Sequence, residues 1–246
     1  MMMRQSLGIR TAVTLIALPE LHAQLPGPSW LSRISVSANT GVLRPTRGSQ
    51  FYSLVDGALA PGATAWHPRL TGGELRVRAR ARWNVVGGMQ AGGQTLASIS
   101  RTAATRIAAP VSQQTSLDLS SFTYIGAQFE AWQRRSASQT RVRVLLSAGA
   151  GSATYRVRQW GNFVDATRLV FFPNDFRSSG AGTIGYAGAA GEIPVVRWAA
   201  ITAEWRRQAG SAPMSVDYAS FDRLDLGGDR LSVGLTLFPW RIVNRP

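Results

Sequence analysis

The stretch 74–83 constrains the fold more than any other, because its side chains alternate strictly between two chemical classes. Glutamate or arginine occupies each even position from Glu74 to Arg82, and leucine, valine, alanine or tryptophan occupies each odd position from Leu75 to Trp83. On a helix, alternate residues are separated by about 200°, so the arginines would scatter around the cylinder. On a strand they share one face and the apolar side chains share the other. The stretch therefore predicts a β-strand between a polar and an apolar environment.

Seven further segments of about ten residues alternate in the same way. The eight predicted strands are 33–43, 74–83, 84–94, 121–133, 140–155, 179–190, 196–207 and 229–238. Short turns near Trp83, at 134–139 and at 191–194 alternate with long loops. This order predicts an all-β, up-and-down antiparallel meander. Loop segments near Phe51 and Val170 could supply two more strands, so ten strands is the alternative to eight.

The two faces of these segments favour lipid outside and side chains inside. The apolar positions are mostly simple aliphatic residues, whereas several polar faces consist of Ser, Asn, Gly and Gln. A tilted strand crosses a bilayer with about 9–11 residues. Because lipid cannot satisfy an open sheet edge, the sheet must close on itself. We therefore expect a closed transmembrane β-barrel whose interior, with eight strands, has room only for side chains.

Charge is unusual in this chain, which has no cysteine, no lysine and a formal net charge of +14. Strand parity predicts a lumen charge network made of Glu74, Arg76, Arg78, Arg80, Arg82, Glu130, Arg141, Arg143, Glu204 and Arg206. Arg33 and Arg230 are expected at the rims. An unpaired buried charge costs several kcal/mol, so these groups must pair or be hydrated.

The turn at 134–139 predicts which charged residues lie opposite each other on the two strands that it joins. Residues facing each other across it place Glu130 near Arg143 or Arg141, and Glu204 should meet Arg206 or Arg230 towards the other rim. Arginine suits this role because its planar fork binds carboxylates and stays charged. We expect a plugged, hydrated, ion-paired interior, and a narrow anion path through the surplus arginines is the alternative.

Five of the eight tryptophans fall at the short-turn ends of the segments. They are Trp30, Trp83, Trp132, Trp198 and Trp240. This placement predicts an interfacial aromatic girdle. Strand parity, however, puts Trp132 and Trp198 on the inner face, and ordinary core tryptophans are the alternative interpretation.

The first residues are typical of a secretory signal. Arg4 and Arg10 accompany a short apolar run at 11–19, and Leu21-His22-Ala23 forms a weak cleavage signal ahead of Gln24. We expect residues 1–23 to be a signal peptide and residues 24–246 to form one barrel domain.

These features together resemble the small outer-membrane β-barrel family of Gram-negative bacteria, the OmpA-, OmpX- and OmpW-like barrels. The resemblance covers about residues 30–240 and rests on the order of segments and on the closing strand 231–238 (LSVGLTLF). It implies an outer-membrane location, folding by the barrel-assembly machinery, a monomer and no cofactor. Family members usually end at a terminal aromatic residue, whereas here eight residues follow Phe238.

The sequence favours a non-enzymatic structural or surface-interaction role, in which Arg156 and Arg158 of a long loop could contact lipopolysaccharide phosphates. A lipid A-modifying enzyme is an alternative, since some barrels of this size use a His with a Ser and an acid. His67 has Ser53 and Asp56 near it in sequence, but nothing fixes a catalytic geometry. A soluble secreted barrel that binds a ligand is a further alternative.

Two other kinds of site do not fit the composition. One histidine beyond the signal segment, with no cysteine, makes a transition-metal cluster improbable. Nucleic-acid binding needs arginines on an exposed face, whereas here they alternate with aliphatic residues inside strands. We therefore expect no metal, no catalytic residues and no nucleic-acid partner.

Overall fold

The computed structural model describes residues 31–60, 62, 65–100, 112–135, 141–165, 168 and 170–239. Its elements in chain order are β1 (Ile34–Pro45), α1 (Gln50–Ala58), β2 (Leu59–Ala60), β3 (Arg69–Arg80), β4 (Trp83–Ser100), β5 (Ser112–Arg135), β6 (Arg141–Val164), β7 (Phe171–Val196), β8 (Ala199–Ala212), β9 (Leu224–Asp225) and β10 (Gly228–Leu237). Within these ranges no helix is both long and apolar enough to cross a membrane. The predicted signal peptide, residues 1–23, lies outside the described residues.

Eight antiparallel strands form one closed ring, because β10 pairs with both β8 and β1. A row of paired residues that starts at Ile34 passes through all eight strands and returns to β1 at Arg44, ten residues along the same strand. Such a stagger tilts the strands against the barrel axis. The closed barrel of eight strands is therefore confirmed, and β2 and β9 are only two-residue additions to it.

Three local predictions are wrong, each for a physical reason. The segment at Phe51 is the helix α1, in which Phe51, Tyr52 and Val55 share a buried face at helical spacing. The segment near Val170 adds no strand, since β7 begins at Phe171. The stretch 191–194 is no turn: β7 continues to Val196, and its proline lies beside a register shift where the missing N–H is tolerated.

The outer surface of the ring is a belt of exposed aliphatic side chains. It comprises Val36, Leu75, Val77, Val85, Met89, Ile125, Val144, Leu146, Ile193, Ile201, Leu231, Val233 and Leu235. On β10, for example, Leu231 is 53% and Val233 is 57% exposed, whereas Arg230 and Ser232 are buried. This inverts the usual arrangement of a water-soluble protein and matches the predicted orientation.

Three strands rise far above this belt on the long-loop side. β5, β6 and β7 contain 24, 24 and 26 residues, against 12 each for β1 and β3. Their paired upper parts form what we call the tall wall, residues 112–118, 156–164 and 171–179. The predicted segments captured only the lower parts of these strands.

The long-loop mouth of the barrel is filled by an apolar cluster that the sequence did not indicate. Its centre is the aromatic plug, defined here as Phe51, Tyr52, Trp66 and Tyr218, all of them buried. The ring centroid of Phe51 lies 5.7 Å from that of Trp66 and 5.8 Å from that of Tyr218. The plug joins inward side chains of β5 and β6 in one hydrophobic core. The mouth is therefore packed like the interior of a folded protein.

One carboxylate anchors the loop that carries α1 to the loop that precedes β10. Asp225 accepts hydrogen bonds from the Thr46 hydroxyl at 2.6 Å and from the Gly48 N–H at 3.1 Å. The Tyr52 hydroxyl donates to the carbonyl oxygen of the same aspartate at 3.3 Å. These contacts hold the aromatic plug in the mouth of the barrel.

Candidate functional site

The short-turn half of the lumen contains one continuous chain of charged contacts, which we call the lumen network. Its successive pairs are Arg78–Glu130 (3.8 Å), Glu130–Arg143 (3.8 Å), Arg143–Glu192, Glu192–Arg76 (2.9 Å), Arg76–Glu74 (3.6 Å), Glu74–Arg206 (3.2 Å), Arg206–Glu204 (2.7 Å) and Glu204–Arg230. Five guanidinium groups thus alternate with four carboxylates. Each carboxylate lies within 4 Å of two arginines, and Glu74, Glu192 and Glu204 accept hydrogen bonds from arginine.

Most of this network is withdrawn from water. Glu192, Arg206 and Arg230 are essentially fully buried, and Glu74, Arg76 and Glu130 are buried as well. Burying such ions is costly, and good pairing geometry must offset the desolvation. Removing one partner would leave an uncompensated charge inside the barrel. The network therefore favours one arrangement of the strands around it.

Two tyrosine rings, whose centroids lie 5.3 Å apart, pack against the guanidinium of Arg206. Its central carbon lies 4.4 Å from the ring centroid of Tyr124 and 4.3 Å from that of Tyr186, within the range of cation–π attraction. The Tyr124 hydroxyl also donates a hydrogen bond to Glu74 at 3.0 Å. This layer lies between the lumen network and the apolar core that contains the aromatic plug.

Glycines on the neighbouring strands make room for these rings. A Cβ atom at Gly88 would press against the Tyr124 hydroxyl, and one at Gly126 would press against the Tyr186 hydroxyl. At Gly149 a Cβ atom would lie 2.8 Å from the Tyr186 ring. The absence of side chains at these positions thus allows the tyrosines to cross the lumen.

Little free space remains beside the network. A cavity of about 20 Å³ lies between Ser37, Glu74, Arg76, Gln128 and Glu204. This is enough for about one water molecule with polar partners on several sides. The cavity could hydrate the network, but it is too small for a solute.

The predicted lumen residues divide into two groups. Glu74, Arg76, Glu130, Arg143, Glu204 and Arg206 lie in the network. Arg78 lies at its edge with 43% of its side chain exposed. Arg80 and Arg82 are exposed and do not belong to the lumen, because β3 ends at Arg80 after a register shift and the turn follows at once. Arg141 begins β6, and its side chain lies outside the described residues.

The sequence did not indicate one network member, Glu192, and it placed another, Arg230, at the wrong depth although it named Arg230 as a partner of Glu204. Glu192 lies between Gly191 and Pro194, so its surroundings resembled a turn. The alternation of Glu192 with the exposed Ile193 and Val195 was the available indication of a strand. Arg230 was expected at a rim, but it lies opposite Arg206 in the strand register and deep in the lumen. The long reach of β8 above this level accounts for the difference.

The structure places three of the predicted girdle tryptophans on the outside of the short-turn end. Trp83, Trp132 and Trp198 are exposed, while Trp30 and Trp240 lie outside the described residues. Parity failed for Trp132 because a β-bulge between Glu130 and Trp132 reverses the faces of β5. Trp198 is turned outward because it lies in the turn that follows another register shift.

The tall wall carries a compact charged cluster above the belt. Arg158 donates two hydrogen bonds to Asp175, each of 2.9 Å, and its guanidinium lies over the Trp160 ring at 4.8 Å. Arg177 pairs with the same carboxylate. Hydrogen bonds from Arg177 and Arg158 hold the pKa of Asp175 well below its usual range. Arg156, the other predicted lipopolysaccharide contact, is exposed on the same strand as Arg158.

The residues considered for catalysis are not brought into a catalytic arrangement. His67 lies on the exposed stretch before β3, and its backbone N–H donates to the Gln94 side chain at 2.5 Å. Ser53 lies in α1 and donates to the carbonyl oxygen of Ser49. Asp56 is half-buried one turn further along the helix. Within the described residues, no hydrogen bond joins the His67 imidazole to the Ser53 hydroxyl as a base–nucleophile pair would require.

No protein-family model matches the chain, and no curated protein matches its sequence. Among solved structures, the chain is similar to the N-terminal β-barrel domain of Pseudomonas aeruginosa OprF, with 11% identity and a TM-score of 0.37 over 82% of this chain and 96% of that one. It is also similar to Ail, the attachment invasion locus protein of Yersinia pestis, with 11% identity and a TM-score of 0.36 over 83% and 95% of the two chains.

A third similar structure is the outer membrane protein AlkL, with 8% identity and a TM-score of 0.37 over 89% of this chain and 96% of that one. Ail and AlkL are both described as outer-membrane proteins. The eight-stranded closure of this chain rests on its own strand pairing.

Proposed function

We propose that this chain is a non-enzymatic protein of the bacterial outer membrane, a closed barrel with a structural or surface-interaction role. One observation carries the proposal: an exposed aliphatic belt surrounds a lumen that is obstructed first by the lumen network and again by the aromatic plug. A belt of this kind is stable in lipid and unfavourable in water. A lumen obstructed at these two levels does not serve as an open pore.

The height of the belt supports a membrane location. On β8 it lies between the exposed Trp198 at the short-turn end and Arg207, which pairs with Asp229 at 3.8 Å on the outer surface. Position 207 is nine residue steps beyond position 198, or about 30 Å along a strand. At the tilt of strands in a small barrel, this length corresponds to a height of about 24 Å. Transmembrane barrels have an apolar band of about this height.

Fractionation tests the location. We expect the protein to sediment with outer membranes and to migrate differently in gels before and after heating, because a folded barrel resists detergent at low temperature. A protein that remains soluble without detergent, with heat-insensitive migration, would support the alternative of a secreted soluble barrel.

Conductance tests the obstruction. In planar bilayers, we expect the refolded protein to show no steady open channel, since the space beside the network admits about one water molecule. A large and sustained conductance would contradict the proposal. A small, anion-selective conductance would instead favour the narrow anion path.

The surface role is proposed for the tall wall, where Arg156 and Arg158 are exposed above the belt. Guanidinium groups bind phosphate through paired hydrogen bonds, so the phosphates of lipopolysaccharide are the expected partners. We expect Arg156→Glu with Arg158→Glu to weaken lipopolysaccharide binding. The matched control is Arg44→Glu with Arg69→Glu, which changes the same charge on β1 and β3. Equal binding by both variants would count against this role.

A further inference from the structure

The short-turn end of the barrel has a ring of exposed arginines that the proposed surface role does not use. This arginine rim comprises Arg33, Arg78, Arg80, Arg82, Arg134 and Arg197. All eight aspartates of the chain lie in its long-loop half, and the four glutamates within the described ranges are the buried members of the lumen network. The exposed charges of the arginine rim are therefore all positive.

The long-loop end is different, because there arginines and aspartates are mixed. Arg158 and Arg177 share Asp175, and Arg207 pairs with Asp229. At the rim, Arg78 forms an ion pair with Glu130, at 3.8 Å, and 43% of the Arg78 side chain is exposed. Arg80 and Arg82 extend from a turn into solvent with no acidic side chain beside them in the sequence. Arg33, Arg80, Arg82 and Arg134 are therefore exposed and available to an anionic partner outside the chain.

The position of the rim indicates which partner that is. Arg82 and Arg197 each precede an exposed tryptophan, Trp83 and Trp198, and Arg134 follows Trp132 by two residues. Exposed tryptophans next to an apolar belt lie at the headgroup level of a bilayer. The long arginine side chains extend from this level towards phosphates, as they do at helix ends in membranes. A soluble anionic polymer would not account for the adjoining tryptophans.

We infer that the arginine rim binds the phosphodiester headgroups of anionic phospholipids in the leaflet that faces the short turns. The inference rests on the proposed membrane location. Guanidinium pairs with phosphate in a planar, charge-assisted fork, and several such groups on one edge select lipids with net negative charge. The rim would gather these lipids around the barrel and fix its depth in the membrane.

Tryptophan quenching by brominated lipids tests this inference on the intact protein. The protein is refolded into phosphatidylcholine vesicles in which a small fraction is brominated phosphatidylglycerol or, in a second set, brominated phosphatidylcholine. One arginine near the membrane surface increases the preference for anionic lipid about fivefold. We therefore expect phosphatidylglycerol to be favoured at least about fivefold over phosphatidylcholine at the girdle tryptophans.

A matched pair of variants separates the rim from the overall charge. The triple change Arg80→Gln, Arg82→Gln and Arg134→Gln should bring this preference close to one. The control triple Arg44→Gln, Arg69→Gln and Arg168→Gln removes the same charge from the long-loop half and should keep the preference. Equal quenching by the two lipids in the unchanged protein would overturn the inference, and so would a preference that only the control triple removes.

Salt provides a test that needs no variant. If the rim triple does not fold, as judged by its heat-dependent migration, the unchanged protein is measured at increasing ionic strength. Because exposed charges are screened over a Debye length, we expect the preference to fall towards one at about 1 M salt. A preference that salt leaves unchanged would overturn the inference. Absence of quenching by either lipid would instead show that the barrel is not in the bilayer, and the proposed location itself would fail.

Discussion

The guanidinium of Arg206 contacts two carboxylates, Glu74 and Glu204, and packs against the rings of Tyr124 and Tyr186. Arg143 also contacts two carboxylates, and its guanidinium lies over one aromatic ring, that of Phe238, at 5.2 Å. The neighbour of Arg206 in sequence, Arg207, faces the opposite way with 63% of its side chain exposed. Two adjacent arginines on one strand thus have opposite environments, which makes them a natural pair for mutagenesis.

We expect Arg206→Met to lower the free energy of unfolding by about 3–5 kcal/mol, because the two carboxylates would remain buried without their shared cation. Arg207→Met should cost less than about 1 kcal/mol, since an exposed ion pair contributes little. Urea unfolding of the refolded barrel in lipid vesicles measures both changes. Similar losses in the two variants would show that the lumen network does not stabilise the barrel as described.

The Tyr186 side chain leaves no room for a Cβ atom at position 126, which explains the glycine there. We expect Gly126→Ala to destabilise the barrel by about 1–3 kcal/mol, because the added methyl group would press against Tyr186 and against the Ala148 carbonyl oxygen. Gly191→Ala is the control, since a Cβ atom there meets nothing within 4 Å. The control should stay within about 0.5 kcal/mol of the unchanged protein. Urea unfolding in lipid vesicles measures the loss of stability in both variants. Equal losses would rule out the steric explanation.

At the scale of elements, the tall wall is stabilised by the cluster around Asp175. Because hydrogen bonds from Arg177 and Arg158 lower the pKa of this carboxyl, it should stay ionised below the usual aspartate value of about 3.9. Its stabilising contribution is present above that value and is lost only as the pH falls through the lowered pKa of the folded state. The upper wall should therefore remain paired at mildly acidic pH.

NMR titration of the Asp175 carboxyl carbon measures this pKa directly. The double change Arg158→Gln and Arg177→Gln should raise the midpoint towards the usual aspartate value. If the unchanged protein titrates at that usual value, the ion pairs seen in the cluster are not formed in solution. Hydrogen exchange of the paired strands around Trp160 and Asp175 would follow the same transition.

Alternation was enough to place all eight strands, because a period of two is a local property that survives in a barrel. Strand lengths and bulges were not predictable in this way. One extra residue between Glu130 and Trp132 reverses every later side chain, and nothing in the local composition marks it. The helix α1 was missed because its apolar residues, Phe51, Tyr52 and Val55, are too few to distinguish helical spacing from a short strand.

The pairing of lumen charges was predictable only between neighbours in sequence or on adjacent strands, as for Glu204 with Arg206 and Arg230. Residues that face each other across the predicted turn 134–139 put Glu130 near Arg143 or Arg141, and the structure places Glu130 and Arg143 3.8 Å apart. Contacts such as Arg76 with Glu192 and Arg206 with Glu74 join strands that are far apart in the chain. Those contacts depend on ring closure and on its stagger of ten residues, neither of which any single segment contains.

At the scale of the whole molecule, charge is sorted along the barrel axis. Glutamates and their arginine partners occupy the lumen, aspartates and arginines mix at the long-loop end, and arginines alone form the exposed rim at the short turns. The aliphatic belt separates the two ends on the outside, and the aromatic plug closes the long-loop mouth. This sorting of charge requires one orientation of the strands, in which aliphatic side chains face lipid and charged side chains face the barrel axis.

Site-directed spin labelling along β10 tests that orientation most directly, and the absence of cysteine from the chain makes each label unique. Single changes to cysteine at Leu231, Ser232, Val233, Gly234 and Leu235 are labelled in the refolded barrel. Collisions with oxygen dissolved in lipid should be frequent at 231, 233 and 235 and rare at 232 and 234. Frequent oxygen collisions at 232 and 234 instead, or equal values along the strand, would contradict the account.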